Sequence, residues 1–303
     1  MKRPGQAADQ RPRLVVERLS GGYVRGRPII QEVSFTMAPG EWVALVGLNG
    51  AGKSTLIRHL IGWMRPETGT IAIDGRTPKE DPLAYRRSLA LVPEMPVFDD
   101  ALTLLEHLEA YAASYGLPEA LWQARFTPLV DAFRLGPHLD RYPRDFSKGM
   151  RQKMLLVMVL LVRPPLLILD EPLLGLDPLG VRTLLTALDT ARREGSAILM
   201  STHLITTAAR WCDRLIVMHD GKLLWQGTFQ EMKLAVQGAL ANPAGQPYGA
   251  EGALLAGGAG DGRDEKPDDQ SAEWSDDPDA LYLALIERLT QTRLTNGARA
   301  NDA

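Results

Sequence analysis

One glycine-rich segment of the chain reads Gly47-Leu48-Asn49-Gly50-Ala51-Gly52-Lys53-Ser54-Thr55. It follows the apolar, strand-like run Trp42–Val46 and opens a helical pattern. Glycines have no Cβ, so the backbone can curl around an anion and direct several N–H groups and a helix N-terminus at it. The spacing matches the G-x-x-x-x-G-K-[ST] pattern and predicts a phosphate-binding loop.

The last three residues of this loop carry side chains that suit a nucleoside triphosphate. We expect the Lys53 ammonium to reach the β- and γ-phosphates and the Ser54 hydroxyl to bind Mg²⁺. Thr55 is placed to bond the α-phosphate. The loop therefore predicts a nucleotide and Mg²⁺ as ligands.

The composition is that of an ordinary soluble globular protein, with 45% hydrophobic and 23% charged residues in 303. A formal net charge of −3 gives no overall electrostatic reason to bind nucleic acid, so nucleic acid is not an expected partner. The single cysteine, Cys212, excludes an internal disulfide framework and a multi-cysteine zinc site.

The sequence shows no sign of export or of a membrane span. Residues Met1–Arg13 are basic and contain proline, but they lack the apolar run of a signal peptide. The longest apolar run, Met154–Val162, is too short to cross a bilayer. We therefore expect a cytoplasmic protein.

Hydrophobic periodicity predicts an α/β fold. Short apolar runs separated by turns predict strands from Leu14 to about Gly75, and helical spacing over Thr103–Phe133 predicts a helical insert. A helical segment, Val181–Arg193, lies between later strand-like runs, which indicates crossover connections and a parallel sheet. The strand-like runs are Leu14–Leu19, Val33–Met37, Trp42–Val46, Thr70–Asp74, Leu166–Leu169, Ala197–Ser201 and Leu215–Met218.

The composition changes abruptly after about Val236. Gly238–Gly262 is rich in glycine and alanine and Asp261–Asp279 is acidic, so residues 235–278 are interpreted as a flexible linker. Asp277 and Pro278 suit the N-cap and first position of a short terminal helix over 279–294. Its apolar face, expected to dock on the protein surface, consists of Tyr282, Leu285, Ile286 and Leu289.

Two carboxylates end the apolar run Leu166–Leu169. As Asp170 and Glu171, they lie at the carboxyl end of a predicted strand, where ligands of parallel sheets bind. Asp170 is suited to hold Mg²⁺, directly or through water. Glu171 is suited to accept a proton from, or to orient, a water molecule aimed at the γ-phosphate.

A further segment, Phe146-Ser147-Lys148-Gly149-Met150-Arg151-Gln152-Lys153, has Ser147 at a helix N-cap position before an apolar run. Together with the phosphate loop, Asp170-Glu171, Gly175-Leu176-Asp177 and Ser201-Thr202-His203, in this order, it resembles the ATP-binding subunit of an ABC transporter. The resemblance covers about Leu14–Leu234.

This resemblance implies an ATP-binding domain over residues 12–234. Its fold is expected to be a P-loop NTPase core with a mixed, mainly parallel sheet, an antiparallel β subdomain and a helical subdomain at about 96–162. It implies ATP and Mg²⁺ as cofactors, Lys53, Glu171 and His203 as catalytic residues, and Ser54, Glu94 and Asp170 as metal ligands.

The resemblance also implies a dimer that encloses ATP. Ser147 and the N–H of Gly149 would bind the γ-phosphate held by the other subunit, and Asp177 would lie at the interface. Met150 stands where the family usually has a glutamine, and it lacks the amide of that residue.

Three more residues receive roles from the resemblance. Tyr23 matches the aromatic residue that stacks on adenine, and His203 matches the histidine that contacts the γ-phosphate. Glu94 stands where a glutamine usually touches Mg²⁺ and the attacking water. The stretch Leu19-Ser20-Gly21-Gly22 matches the family's usual Leu-Ser-Gly-Gly sequence literally. It precedes the phosphate loop and no helical pattern follows it, so we expect the γ-phosphate role at Ser147 and Gly149 and not here.

Met150 and Glu94, the two positions that differ from the usual glutamines, make the chain similar to the Ecs-type branch of the family, whose members resemble exporter ATPases. The expected function is therefore ATP hydrolysis that drives a separate transmembrane permease, in the export direction, from the inner face of the cell membrane. Met95, Val97 and Phe98 suit either a groove that docks the permease or buried packing.

Two other classes remain. A soluble ABC-type ATPase acting on ribosomes, chromosomes or DNA repair would use the same motifs, but this sequence has no second ATPase module, long coiled coil or zinc cysteines. A kinase built on a phosphate loop would leave Glu171, Ser147 and His203 without a role.

Overall fold

A computed structural model describes residues 11–236 and 277–287. Within them the strands are β1 (Leu14–Gly21), β2 (Ile30–Met37), β3 (Trp42–Val46), β4 (Thr68–Ile73), β5 (Leu89–Val92), β6 (Leu166–Asp170), β7 (Ala197–Ser201), β8 (Arg214–His219) and β9 (Lys222–Gly227). The helices are α1 (Lys53–Leu60), α2 (Pro82–Arg87), α3 (Leu104–Tyr115), α4 (Glu119–Ala132), α5 (Lys148–Val162), α6 (Pro178–Arg193), α7 (Ile205–Trp211), α8 (Phe229–Val236) and a terminal helix over residues 278–287.

A six-stranded sheet forms the core in the order β5-β6-β7-β3-β8-β9. Its neighbouring strands run parallel except β8 and β9, which are antiparallel. Parallel strands end at the same edge of a sheet, so the segments that follow β3, β5, β6 and β7 meet there. The predicted mixed, mainly parallel sheet is confirmed, and its carboxyl edge positions the candidate site.

A second sheet has three antiparallel strands in the order β2-β1-β4. Leu14, Val16 and Leu19 of β1 point into the core, as expected of a strand with one buried face. The stretch Leu19-Ser20-Gly21-Gly22 begins in this strand, since Leu19, Ser20 and Gly21 all belong to β1. The expectation that it does not open a helix is confirmed.

Strand β3, which leads into the phosphate loop, is buried at all five positions. Trp42 belongs to the core cluster of helices α3–α6, whereas Val43 and Leu45 face the cluster that contains α1 and the small sheet. Ala44 and Val46 belong to a third cluster, with α7, α8 and the terminal helix. A strand covered on every side explains the continuous apolar run that predicted it.

The helical insert lies between β5 and β6 and comprises α3, α4 and α5. Helix α3 begins with a capping box, in which Thr103 Oγ1 accepts from the Glu106 N–H at 3.3 Å and Glu106 Oε2 accepts from the Thr103 N–H at 2.7 Å. Residues Met154–Val162 of α5 are buried in the core, which explains their apolar character. The subdomain bounds at about 96–162 stay a prediction.

The terminal helix docks through the face that the sequence predicts. Asp277 Oδ1 accepts from the Asp279 N–H at 3.2 Å, and Leu281, Tyr282, Leu285 and Ile286 are buried while Leu283 is exposed. Leu289 and most of the predicted linker lie outside the described residues, although α8 includes the first two residues of that linker, Ala235 and Val236. None of the helices described has both the length and the apolarity to cross a membrane.

Candidate functional site

The loop between β3 and α1 has the backbone of an anion cradle. Gly50 and Gly52 adopt φ angles of 84° and 101°, in the left-handed region that favours glycine. A Cβ at Gly47 would lie 2.6 Å from the carbonyl oxygen of Met218, so that position has no room for a side chain. Helix α1 has no side-chain cap at its N-terminus, which leaves first-turn N–H groups available to a phosphate.

Lys53 begins α1 and folds over this loop. Its Nζ donates to the carbonyl oxygens of Gly47 at 2.6 Å and Leu48 at 3.3 Å. Burial lowers the pKa of the Lys53 ammonium below its usual value, and the nearby carboxylates of Glu171 and Asp170 act in the opposite direction. The cation therefore lies between the loop and the acids at the end of β6.

Asp170 and Glu171 are held by the neighbouring strand. Asp170 pairs in register with Ser201 of β7, whose Oγ donates to Asp170 Oδ1. The Glu171 N–H donates to the Ser201 carbonyl at 3.2 Å and lies 3.1 Å from Ser201 Oγ. Glu171 has a φ of 48°, a conformation that non-glycine residues adopt at a cost and that is enriched at functional sites.

His203 contacts the Glu171 carboxylate. Its Nδ1 lies 2.9 Å from Glu171 Oε2, and the His203 side chain is 57% exposed whereas that of Glu171 is 16% exposed. With Nδ1 donating to the carboxylate, Nε2 is left for a second partner. The contact orients the carboxylate that the sequence predicts as the base.

These elements surround a cavity of about 430 Å³ at the carboxyl edge of the large sheet. It brings together the predicted residues Gly47, Asn49, Glu94, Glu171 and His203. Sequence reasoning gave no place in the site to its other lining residues, which are Leu48, Leu174, Ile205 and Tyr282.

The oxygen groups near this cavity fit Mg²⁺ held jointly with a nucleotide. The described residues include no cluster of three or more His, Cys, Asp or Glu side chains that would bind a metal by themselves. Mg²⁺ commonly binds one or two carboxylates together with substrate phosphates and water. The exposed Ser54 hydroxyl at the start of α1, the Asp170 carboxylate and the exposed Glu94 are such donors.

Ser147 and Gly149 lie apart from the cavity lining. Ser147 is exposed and caps α5, with its Oγ accepting from the Met150 N–H at 3.3 Å. A Cβ at Gly149 would lie 2.9 Å from the carbonyl oxygen of Gly175, so this glycine permits close contact between the start of α5 and the segment after Glu171.

Asp177 caps α6 on the same side of the protein. Its Oδ1 accepts from the Gly180 N–H at 2.6 Å and its Oδ2 lies 3.2 Å from Lys153 Nζ. The Gly180 N–H and then the Lys153 ammonium lower the pKa of the Asp177 carboxyl. Asp177 therefore links the starts of α5 and α6 within this chain, and it too lies outside the cavity lining.

Tyr23 is 57% exposed and lies outside the cavity lining. The Nη1 group of Arg58 in α1 donates to its hydroxyl, and the guanidinium carbon lies 5.2 Å from the ring centroid. The ring is thus fixed at its hydroxyl end while much of its surface stays accessible to a stacking partner.

Sequence reasoning missed the supporting residues Ser201, Arg58 and Tyr282. Ser201 had a usable signal, since it precedes Thr202 and His203 at a strand end, opposite the acids of the next strand. Arg58 and Tyr282 had none, because helical periodicity does not reveal which loop or cavity a helix contacts.

Comparison with known proteins gives the family. The ABC transporter family model matches residues 30–174. The ABC-type transporter ATP-binding protein EcsA of Bacillus subtilis is 46% identical over 220 residues, which cover 73% of this chain and 89% of that protein. The Nod factor export ATP-binding protein I of Ralstonia nicotianae is 32% identical, covering 76% of this chain and 71% of that protein.

A solved structure agrees with these matches. A solved structure described as an ATP-binding subunit of an ABC transporter matches this chain with a TM-score of 0.72 and 45% sequence identity. The match covers 74% of this chain and 93% of the solved chain. The resemblance seen in the motifs and the predicted P-loop NTPase fold are thereby confirmed. The chain belongs to the ATP-binding subunits of ABC transporters, the family that hydrolyses ATP to drive transport.

Proposed function

We propose that this chain pairs with a second ATP-binding subunit around ATP and drives a separate transmembrane permease in the export direction. The observation that carries the proposal is the cavity, which joins the phosphate loop to Glu94, Glu171 and His203. Lys53 bonds to the lining residue Gly47, whereas Ser147 and Asp177 cap α5 and α6 outside the lining. One chain thus presents one half of a divided site.

In this scheme each group has a defined task. The loop amides and Lys53 bind the phosphates, and Glu171 takes the proton of the attacking water while His203 holds its carboxylate. Ser54, Asp170 and Glu94 would hold Mg²⁺, which neutralises charge on the phosphates. Ser201 keeps Asp170 in place.

Exposed apolar side chains around the site support an interface there. Leu48, Leu174, Leu179 and Leu204 are between 37% and 51% exposed, and they belong to the phosphate loop, the segment after Glu171, the first turn of α6 and the segment after His203. Apolar surface gathered around a polar site is typical of a protein contact. A second subunit would cover it and supply Ser147 and Gly149 to the γ-phosphate.

The loop that follows β5 suits contact with the permease. Met95 and Val97, next to Glu94, are 78% and 91% exposed. Phe98 instead packs on the core of the helical insert, with its ring centroid 5.6 Å from that of His107. We assign docking to Met95 and Val97, and internal packing to Phe98.

We base the export direction on a relative that is named as an export ATP-binding protein. The location on the inner face of the membrane follows from the energy source, because the ATPase must lie on the side of the membrane where ATP is made. Inverted membrane vesicles that contain the permease and this chain should take up substrate when ATP is added outside. ATP-dependent uptake by intact cells, without uptake by inverted vesicles, would indicate import.

The rate of ATP hydrolysis by the isolated subunit should rise faster than linearly with protein concentration. Half of each site comes from the other subunit, and groups supplied in trans are worth about 10³-fold or more in other phosphoryl-transfer enzymes. Steady-state turnover measured across the dimerisation range tests this. Ser147→Ala should lower turnover while the dilute monomer keeps its ATP affinity. A strictly linear rate would contradict dimerisation.

Tyr23→Ala should weaken ATP binding about tenfold, because stacking of a base on an aromatic ring contributes about 1–3 kcal/mol. Calorimetry with ATP and with tripolyphosphate tests this, since only ATP has a base. Tyr23→Phe is the matched control, because it loses the bond to Arg58 and keeps the ring. Equal weakening of both ligands would contradict an adenine contact.

Affinity purification of the Glu171→Gln protein with ATP and Mg²⁺ from gently solubilised native cells tests whether the chain has a permease as its partner. A multi-span membrane protein among the copurified chains supports the proposal, whereas ribosomal or DNA-repair proteins would favour a soluble machine. Met95→Glu combined with Val97→Glu should abolish capture of the permease and leave ATP binding intact.

A further inference from the structure

The terminal helix is attached to the elements that carry the catalytic groups. Its residues Leu281, Leu285 and Ile286 belong to a buried cluster with Val46, which precedes the phosphate loop, and Ile205, which follows the His203 segment. In sequence, the 40 residues 237–276, which the structure does not describe, separate α8 from the segment 277–287 that contains this helix. The helix is therefore packed into the ATPase core rather than on a remote surface.

Tyr282 of this helix lies on the wall of the catalytic cavity. It borders the same cavity as Asn49, Glu94, Glu171 and His203, and its side chain is only 7% exposed. Its hydroxyl oxygen is buried and has no hydrogen-bond partner among the residues that the structure describes. Buried hydroxyl groups are nearly always bonded, so this one calls for a physical explanation.

The chemistry of the cavity supplies suitable partners. Burial raises the pKa of Tyr282, so the hydroxyl keeps its proton and remains a donor. The cavity wall contributes the carboxylates of Glu94 and Glu171, and the phosphate loop, which also lines it, would hold the γ-phosphate of ATP nearby. Tyr282 thus shares the cavity wall with the Glu171 carboxylate and with the loop that would hold the γ-phosphate.

We propose that Tyr282 is a positioning residue of the ATPase, and that its hydroxyl donates a hydrogen bond to an anionic oxygen at the γ-phosphate end of the loaded site. That oxygen belongs to the γ-phosphate or to the Glu171 carboxylate. The proposal rests on the site assigned above. It makes the terminal helix a part of the catalytic unit, since docking of that helix places the hydroxyl.

The test compares Tyr282→Phe with the wild-type full-length chain. This change removes the hydroxyl and keeps the ring, and loss of a hydrogen bond to a charged group predicts a fall in kcat/KM for ATP of about tenfold or more. Affinity for ADP and the melting temperature without nucleotide should not fall. Leu283→Ala, an exposed change on the same helix, should match the wild type.

Binding of a nonhydrolysable ATP analogue identifies the acceptor. Weaker binding of the analogue with normal ADP binding indicates the γ-phosphate, and normal binding of both with reduced kcat indicates Glu171. A kcat/KM within about twofold of the wild type, or a parallel loss of ADP affinity and melting temperature, would overturn the proposal.

A parallel Glu171→Gln assay separates this inference from the site on which it rests. Full turnover by Glu171→Gln refutes the assigned base, whatever Tyr282→Phe does. Loss of turnover in Glu171→Gln with normal turnover in Tyr282→Phe overturns only the role of Tyr282.

Discussion

Replacing Glu171 with glutamine is expected to lower ATP turnover by about 10³-fold while ATP remains bound. Glutamine preserves the size of the side chain and can still contact His203, 2.9 Å away in the wild type. It cannot accept the proton of the attacking water. Single-turnover hydrolysis and retention of labelled ATP after gel filtration measure the two effects separately.

Glu94→Gln is the matched control for charge. Both carboxylates border the same cavity, so each change removes one negative charge from it. Glu94 occupies a position where the family usually has glutamine, and we expect this variant to keep at least about a tenth of wild-type turnover, against about a thousandth for Glu171→Gln. Equal losses in the two variants would show that charge, and not the base, dominates.

The local pattern of the sequence predicts the elements that carry the site. Trp42–Val46 and Leu166–Leu169 are continuous apolar runs because both faces of a central parallel strand are covered, and such runs stand out without any structure. The loop and the acids that follow these runs then lie at one edge by topology alone. This reasoning places Lys53 near Asp170 and Glu171 before any distance is known.

Other parts of the fold and site depend on contacts that no local pattern encodes. Strand β5 has four residues and α7 has seven, too few to show a period, and β9 places Leu224 and Trp225 side by side without alternation. Arg58, the partner of Tyr23, is 35 residues away in sequence, and Tyr282, which lines the cavity, is more than 75 residues from the other lining residues. Such contacts depend on how the elements pack, which only a structure reveals.

Lys53→Ala is expected to weaken ATP binding by about 100-fold or more and to make hydrolysis undetectable. The ammonium donates to the phosphate loop at Gly47 and Leu48, and it lies within electrostatic reach of the acids at the end of β6. Charge-assisted hydrogen bonds contribute about 1.5–3 kcal/mol each, and a lysine that contacts two phosphates makes more than one. Equilibrium titration of ATP in the presence and absence of Mg²⁺ measures the loss.

Ser54→Ala distinguishes the contribution of the Lys53 ammonium to ATP binding from that of the bound Mg²⁺. Ser54 is the next residue in the same first turn of α1, but its proposed ligand is Mg²⁺ rather than phosphate. Its loss should weaken binding of the Mg²⁺ complex and leave metal-free ATP unaffected, whereas Lys53→Ala should weaken both. If Lys53→Ala affected only the Mg²⁺ complex, the ammonium would act through the Asp170 carboxylate instead of the phosphates, and the arrangement of charges at the end of β6 would need a different explanation.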